Sequence, residues 1–207
     1  MSDNNLKSIV VFISGNGSNL QSIIDNIKNN TIKNAKIDLV VSNRSKAYGL
    51  TRAKENNIPT KILTLKKYKD ENKTRLEYDL DLANLVLNNI KPDLIVLAGF
   101  MHILSSEFLD KFPNTNLINL HPALPGQFDG AEAIPRAFNA FKKGEIKHTG
   151  VMVHKVIKDV DRGEVICFEE VEIKNDDKLE HLEDRIHEVE HKLLITGINL
   201  ILEDKKL

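Results

Sequence analysis

Short hydrophobic segments alternate with segments of helical spacing through the first 120 residues, and this alternation restricts the fold more than any other feature. The first segment, KSIVVFIS, is a β-branched and aromatic run that ends at glycines, which is typical of a strand buried on both faces. Repeated strand–helix units predict a parallel, doubly wound sheet. The predicted strands are 7–14, 37–43, 60–65, 93–100 and 117–120; the predicted helices start near Leu20, cover 46–56, and carry one face of Leu76, Leu80, Ala83 and Leu87.

The character of the sequence changes after His121. The fifteen residues HPALPGQFDGAEAIP contain three prolines and two glycines, which predicts a long loop of the kind that is often functional. A helix over about 136–143, strands near 148–157 and 164–173, and a final helix are predicted next; the apolar stripe of the final helix is Leu179, Leu182, Ile186, Val189 and Leu193. The expected fold class is α/β, with a mostly parallel Rossmann-like sheet flanked by helices, a C-terminal antiparallel strand pair and a long final helix.

Size and charge exclude several classes of protein. The 207 residues suffice for one α/β core, so we expect a single domain over 1–207. With 29 basic and 30 acidic side chains the net charge is -1, which offers no overall positive field for nucleic acid or an anionic membrane. The absence of a signal-peptide core or a bilayer-length apolar run favours the cytoplasm. Cys167 is the single cysteine, and its apolar neighbours predict a buried structural thiol.

The segment SGNGSN at 14–19 lies between the first predicted strand and the first predicted helix. Glycines there let backbone N–H groups approach an anion at the positive end of a helix, for which Ser18 or Asn16 is the expected N-cap. The spacing matches neither the dinucleotide-binding glycine motif nor the P-loop, since Asn19 and Leu20 follow the second glycine and no lysine follows. The segment predicts a phosphate site; a turn whose glycines only satisfy backbone angles is the alternative.

Asn119 and His121 stand at the carboxyl end of a predicted strand, where open α/β sheets bind their ligands. Because side chains two residues apart on a strand point to the same side, an amide and an imidazole converge there. This pair can stabilise a developing oxyanion. The alternative is a hydrogen-bonded pair with a structural role.

Other polar residues carry a weaker signal. Asp161 lies in the turn between the last two strands, which either aims a carboxylate at a site or is an ordinary hairpin turn. His154, on the strand before it, faces either the core or the site. His187 and Glu190 share a face of the final helix, and Arg75 begins a charged helix. Exposure to solvent on a helix surface is the ordinary explanation for all three residues. The sequence has no HExxH or similar signature, and we assign no metal.

Four segments in order closely resemble the phosphoribosylglycinamide formyltransferases of purine biosynthesis: VVFISGNGSNLQSIID, PDLIVLAGFMHIL, INLHPALP and GVMVHKVIKDVDRGEVI. The resemblance extends over about 7–202. It implies the formyltransferase fold, with a phosphate-binding half over about 1–100 and a catalytic and folate-binding half over about 101–207. It also implies transfer of a formyl group from 10-formyltetrahydrofolate, as co-substrate, to glycinamide ribonucleotide in de novo IMP biosynthesis, without a metal, by a monomer or homodimer.

The resemblance assigns roles to matched positions. The implied catalytic residues are Asn119, His121 and Asp161. The implied ribonucleotide-binding residues are Gly17, Ser18, Asn19, Leu20, Gln21, His187 and Glu190. The implied folate-binding residues are Arg75, Met101, His102, Ile103, Leu104, Asn119, Ile157, Lys158, Asp159, Val160 and Asp161.

Three features depart from the family pattern. His102 stands where arginine is common. His187 stands where some members carry glutamine near the substrate phosphate, and an imidazole there would make phosphate binding depend on pH. The PGQFDGAEAIP loop differs from the shorter form found in many members.

The implied mechanism is direct attack of the substrate amine on the formyl carbon. His121 and Asn119 would stabilise the oxyanion, while Asp161 would raise the pKa of His121 and assist proton transfer to N10 through water. The alternatives are formyl-folate hydrolysis, transfer to methionyl-tRNA, and ligand binding without turnover. The first two activities belong to relatives with an added domain, which we do not expect in 207 residues. The filled catalytic positions argue against the third.

Overall fold

The computed structural model describes residues 6–203, which form alternating strands and helices in two compact units. The first unit ends at Ile118 and the second begins at Asn119. The elements are β1 (Lys7–Ile13), α1 (Ser18–Lys28), β2 (Ala35–Ser42), α2 (Gly49–Glu55), β3 (Thr60–Ile62), α3 (Leu65–Asp70), α4 (Arg75–Leu87), β4 (Leu94–Leu97), α5 (Ser106–Leu109), β5 (Asn116–His121), α6 (Ala133–Lys142), β6 (His148–Lys155), β7 (Val165–Glu172) and α7 (Leu179–Glu203).

The first unit is built on a parallel sheet whose strand order is β3-β2-β1-β4-β5. Strand β1 pairs in parallel with both β2 and β4, and its residues from Ile9 to Ile13 are completely buried. This burial is the physical reason for the continuous hydrophobic run in the sequence. Because parallel strands end at the same edge, the segments after β1 and β4 lie together there, and the Met101 N–H donates to Ser14 Oγ at 2.7 Å.

The strand order in the second unit is β5-β6-β7. Strands β6 and β7 are antiparallel, with an irregularity between Val153 and His154. Helix α7 packs on them and approaches β6 closely at Gly197, where an added Cβ would lie 2.8 Å from Val153 Cγ1. The predicted fold class, with its C-terminal antiparallel pair and long final helix, is confirmed. The division of a single domain near residue 100 stays a prediction.

The predicted apolar face of α4 is partly wrong: Ala83 is completely buried as expected, but the helix is rotated relative to the prediction. Leu76 and Leu87 are exposed, whereas Tyr78, Asp79 and Val86 are buried. The helix is rotated because two polar residues find partners inside: Tyr78 Oη donates to the Leu63 carbonyl at 3.0 Å, and Asp79 pairs with an imidazole described below. Hydrophobic spacing alone does not reveal such a rotation.

Two further local predictions need correction. The strand predicted over 60–65 ends at Ile62, and α3 begins at Leu65; α3 and the short α5 were not predicted. Cys167 is half-buried rather than fully buried, and burial raises the pKa of its thiol to about 11, which leaves little thiolate at neutral pH. Among the helices of residues 6–203, none is long and apolar enough to cross a membrane.

Candidate active site

The segment between β1 and α1 forms an open helix N-terminus. Gly17 is the N-cap residue, with φ of 77°, and within residues 6–203 no side chain caps the helix. The prediction of Ser18 or Asn16 as N-cap is therefore wrong, because the left-handed backbone at this point selects glycine. An uncapped N-terminus leaves backbone donors for an anion, as a phosphate site requires.

Arg52, which was not predicted from the sequence as a site residue, holds this segment in place. Its Nε and Nη2 donate to the Asn16 carbonyl and to Asn16 Oδ1, both at 3.0 Å. The guanidinium also lies 5.0 Å from the centre of the Tyr48 ring. Gly49 is the sequence feature that could have indicated this role. Because Gly49 has no side chain, α2 lies close to the 14–19 segment, and Arg52, three residues later, reaches that segment.

We expect Gly17→Ala to weaken the predicted phosphate site strongly. An added Cβ would lie 2.6 Å from Gly49 Cα, which is backbone, and the left-handed φ is itself strained for alanine. The strain should cost about 1 to 3 kcal/mol of unfolding free energy and raise the KM for the ribonucleotide about 10-fold or more. Thermal unfolding and steady-state kinetics measure both. Gly15→Ala is the matched stability control, because its Cβ would meet nothing within 4 Å; equal melting temperatures of the two variants would contradict the argument.

The segment after β4 exposes apolar side chains beside a cavity. Met101 is 66% exposed and Ile103 is 54% exposed, whereas Leu104 is buried. Arg75 Nη2 donates to the Ile103 carbonyl at 2.7 Å. The cavity has a volume of about 300 Å³ and is lined by Arg75, Leu76, Asp79, Ile103, Leu104, Ser105 and Glu107. Four of the residues predicted to bind folate are thus brought together within the first unit.

His102, which was also predicted to bind folate, points into the protein. Its Nε2 lies 2.5 Å from Asp79 Oδ1, and both side chains are buried. The other oxygen of Asp79 accepts the Ser105 N–H at 3.0 Å. The imidazole is therefore engaged inside the protein, and this pair fixes the loop that carries Met101 and Ile103.

Four side chains of the second unit form a buried polar cluster around Asp161. Asp161 Oδ1 accepts from Asn119 Nδ2 at 3.2 Å and lies 3.4 Å from His154 Nε2. Its Oδ2 lies 3.4 Å from His121 Nδ1 and accepts the Gly130 N–H at 2.8 Å. The predicted convergence of Asn119 and His121 is therefore seen. His154 faces this cluster, which answers the question that the sequence left open.

Asn119 is already occupied within this cluster. Its Nδ2 also lies 3.2 Å from His154 Nε2, so its two N–H groups face Asp161 and His154. Its predicted oxyanion role requires the amide to give one of these contacts to substrate, and that role stays a prediction.

His121 presents one ring nitrogen without a partner. The side chain is 5% exposed, and within residues 6–203 no group hydrogen-bonds its Nε2. The Phe128 backbone hydrogen-bonds the ring. Since Nδ1 faces Asp161 and Nε2 has no partner, we assign this bond, and the proton of the neutral ring, to Nδ1. Nε2 then carries a lone pair in a buried, water-poor place.

The pKa of His121 moves in the direction opposite to the sequence-based expectation. Burial lowers the pKa below its ordinary value, because desolvation of the imidazolium outweighs the attraction of Asp161, while His154 lowers it further. The expectation considered the effect of the Asp161 carboxylate on this pKa but not the effect of burial. His121 is therefore neutral at physiological pH.

Asp161 is held as a carboxylate. Burial by itself would raise its pKa, but the contacts with His154, the Gly130 N–H and His121 outweigh burial and lower the pKa. The residue has a left-handed φ of 54°, which aspartate tolerates in turns better than most non-glycine residues. The predicted loop 157–161 before it is exposed at Ile157, Lys158 and Asp159.

The two candidates on α7 have different surroundings. His187 is exposed, whereas Glu190 is buried, so the solvated-face interpretation is wrong for Glu190. In residues 6–203 there is no group of three or more His, Cys, Asp or Glu side chains that could hold a metal ion.

Comparisons with known proteins agree with this arrangement. A formyl transferase family model matches residues 7–198. The phosphoribosylglycinamide formyltransferase of Dictyostelium discoideum is 51% identical over 201 residues, which cover 94% of this chain and 97% of that protein. The enzyme of the same name from Schizosaccharomyces pombe is 48% identical over 96% of this chain and 99% of its own. The crystal structure of phosphoribosylglycinamide formyltransferase from Bacillus halodurans has a TM-score of 0.86 at 29% identity, covering 96% of each chain.

The match over most of the chain, together with the buried His–Asp–Asn cluster, defines a class of group-transfer enzyme. The chain belongs to the formyl transferase family.

Proposed function

We propose that this chain transfers the formyl group of 10-formyltetrahydrofolate to the amine of 5-phosphoribosylglycinamide in purine biosynthesis. The products are formylglycinamide ribonucleotide and tetrahydrofolate. The observation that carries the proposal is the buried, unpartnered Nε2 of His121 beside the Asp161 carboxylate. The likeness to full-length phosphoribosylglycinamide formyltransferases supports the choice of substrates.

The reaction begins with neutral His121. The substrate amine attacks the formyl carbon, so that a C–N bond forms and the carbonyl π electrons move to oxygen. The nitrogen becomes positively charged and loses a proton, which the Nε2 lone pair accepts, directly or through one water. Because its pKa is lowered, His121 is free to take this proton at neutral pH.

The imidazolium formed in this way stabilises the tetrahedral intermediate. Its Nε2–H now donates towards the oxyanion, while Asp161, 3.4 Å from Nδ1, stabilises the positive ring. The intermediate collapses when the carbon–N10 bond breaks and N10 takes up a proton from the imidazolium. This returns His121 to its neutral form, and no covalent enzyme intermediate is needed.

The remaining predicted residues bind the substrates. Backbone groups of 17–20 at the uncapped start of α1 hold the ribonucleotide phosphate, and Leu20 takes part through its backbone because its side chain is completely buried. The Gln21 N–H already donates to the Gly17 carbonyl at 2.9 Å, so Gln21 takes part through its side chain. His187 and Glu190 complete the ribonucleotide contacts. Arg75, 101–104 and 157–161 contact the folate. The enzyme acts in the cytoplasm, as a monomer or homodimer, on small molecules and not on nucleic acid.

The test is the appearance of tetrahydrofolate by absorbance when the purified chain meets 10-formyltetrahydrofolate with and without the ribonucleotide. Product that depends on the ribonucleotide is the expected result. An equal rate without the ribonucleotide would mean hydrolysis, and no product in either case would mean a binding protein; each would overturn the proposal.

A further inference from the structure

The loop between β5 and α6 contacts both members of the His121–Asp161 pair. The Phe128 backbone hydrogen-bonds the His121 ring, and two residues later the Gly130 N–H donates to Asp161 Oδ2 at 2.8 Å. Phe128 and Gly130 both have left-handed backbones, with φ of 49° and 82°. Glycine adopts this conformation freely, but it is strained for Phe128, which keeps it only when other contacts hold the loop.

Asp129, the residue between these two, is held from two sides. Arg162 Nη2 lies 2.5 Å from Asp129 Oδ2. Arg136 Nη1 donates to the Asp129 carbonyl at 2.8 Å, and its guanidinium lies 5.7 Å from the centre of the Phe128 ring. Arg162 directly follows Asp161 in the chain, so the ion pair ties the β6–β7 turn to the β5–α6 loop.

We propose that the Asp129–Arg162 ion pair is a clasp that positions His121 and Asp161 for catalysis. It does so by fixing the Phe128 carbonyl on the imidazole and the Gly130 N–H on the carboxylate. Asp129 and Arg162 are positioning residues, because they act through their neighbours and not on the substrate. The inference rests on the proposed roles of His121 and Asp161.

The exposure of Arg162 distinguishes a positioning role of the pair from a role in stabilising the fold. The Arg162 side chain is 57% exposed and that of Asp129 is 26% exposed. An ion pair with one exposed partner contributes little to the free energy of unfolding, so removal of this pair should change stability much less than it changes kcat. A displaced loop would nevertheless move two groups whose placement sets the rate, and a displacement of about 1 Å can cost as much as about 100-fold.

The test is a double-mutant cycle with Arg162→Gln, Asp129→Asn and the double variant. Each single variant should lower kcat about 10-fold, with the KM of both substrates within about twofold of wild type. The double variant should be no slower than either single variant, because both remove the same contact. Arg162→Lys, which keeps the charge, should restore most of kcat. Glu164→Gln is the matched control: it breaks the exposed Lys155–Glu164 pair (2.6 Å) of the same hairpin and should change nothing.

The nitrogen shifts of His121 supply a second readout that a purely structural role would not move. In wild type, ¹⁵N NMR of labelled histidine should show a proton on Nδ1; in Arg162→Gln the shifts should report a mixture of both tautomers. An unchanged kcat and tautomer in both single variants would overturn the clasp. So would a raised folate KM in Arg162→Gln alone, because Arg162 would then be a ligand. His121→Ala, run in parallel, separates the two proposals: if it retains turnover, the proposed function fails first.

Discussion

His121→Ala is expected to lower kcat about 1000-fold or more while the protein stays folded. The variant loses the base that takes the amine proton and, in the next step, the donor that faces the oxyanion. Each of these contributions is worth on the order of 100-fold or more in enzymes, and a single oxyanion donor is worth about 3 to 4 kcal/mol. Rates at saturating concentrations of both substrates measure the loss, and thermal unfolding checks the fold.

His148→Ala is the matched control for this variant. His148 begins β6 in the same unit, but its ring is exposed and only approaches Glu170, at 3.8 Å. Its removal should leave kcat unchanged. A kcat for His121→Ala close to that of the control would show that the buried imidazole is not the group that moves the proton.

Asp161→Asn is expected to lower kcat about 100-fold and to move the acid limb of the pH–rate profile to lower pH. The rate falls on the acid side when Nε2 of His121 is protonated and no longer accepts a proton. Burial holds the pKa of His121 below its ordinary value, and the Asp161 charge works against burial. Removal of that charge lowers the pKa further, so the limb moves down. The plateau falls because the imidazolium intermediate loses its partner.

The position of the limb is measured from kcat/KM between about pH 5 and 8, where histidine titrates. An NMR titration of the His121 ring gives the same pKa independently of turnover. A limb that moves to higher pH in Asp161→Asn would mean that the titrating group is not His121, or that Asp161 does not face it as a carboxylate.

The order of strands and helices could be predicted from the sequence because each β-branched run is local and ends at glycine, proline or a polar turn. The convergence of Asn119 and His121 could also be predicted, since period-two geometry places them on one side of β5. Asp161 came from the family resemblance, because its turn alone is an ordinary hairpin. These predictions depend on short stretches of chain.

The remainder depends on contacts between distant residues. The face of α4 is set by the pair of Asp79 with His102, which lie 23 positions apart. The direction of the His121 pKa is set by burial, which no local pattern reports. The clasp joins Asp129 to Arg162 across two loops, and no local pattern in the sequence predicts that these residues pair. His154 could be placed on a strand but not on a face, because the irregularity after Val153 shifts the register.

Transfer of the formyl carbon itself is the most direct test of the account. With 10-formyltetrahydrofolate labelled by ¹³C in the formyl group, ¹³C NMR should show the label leaving the folate and appearing in the formamide of the ribonucleotide, one label for each ribonucleotide consumed. Label that appears in formate instead would contradict direct transfer and would assign the His121–Asp161 pair to the activation of water.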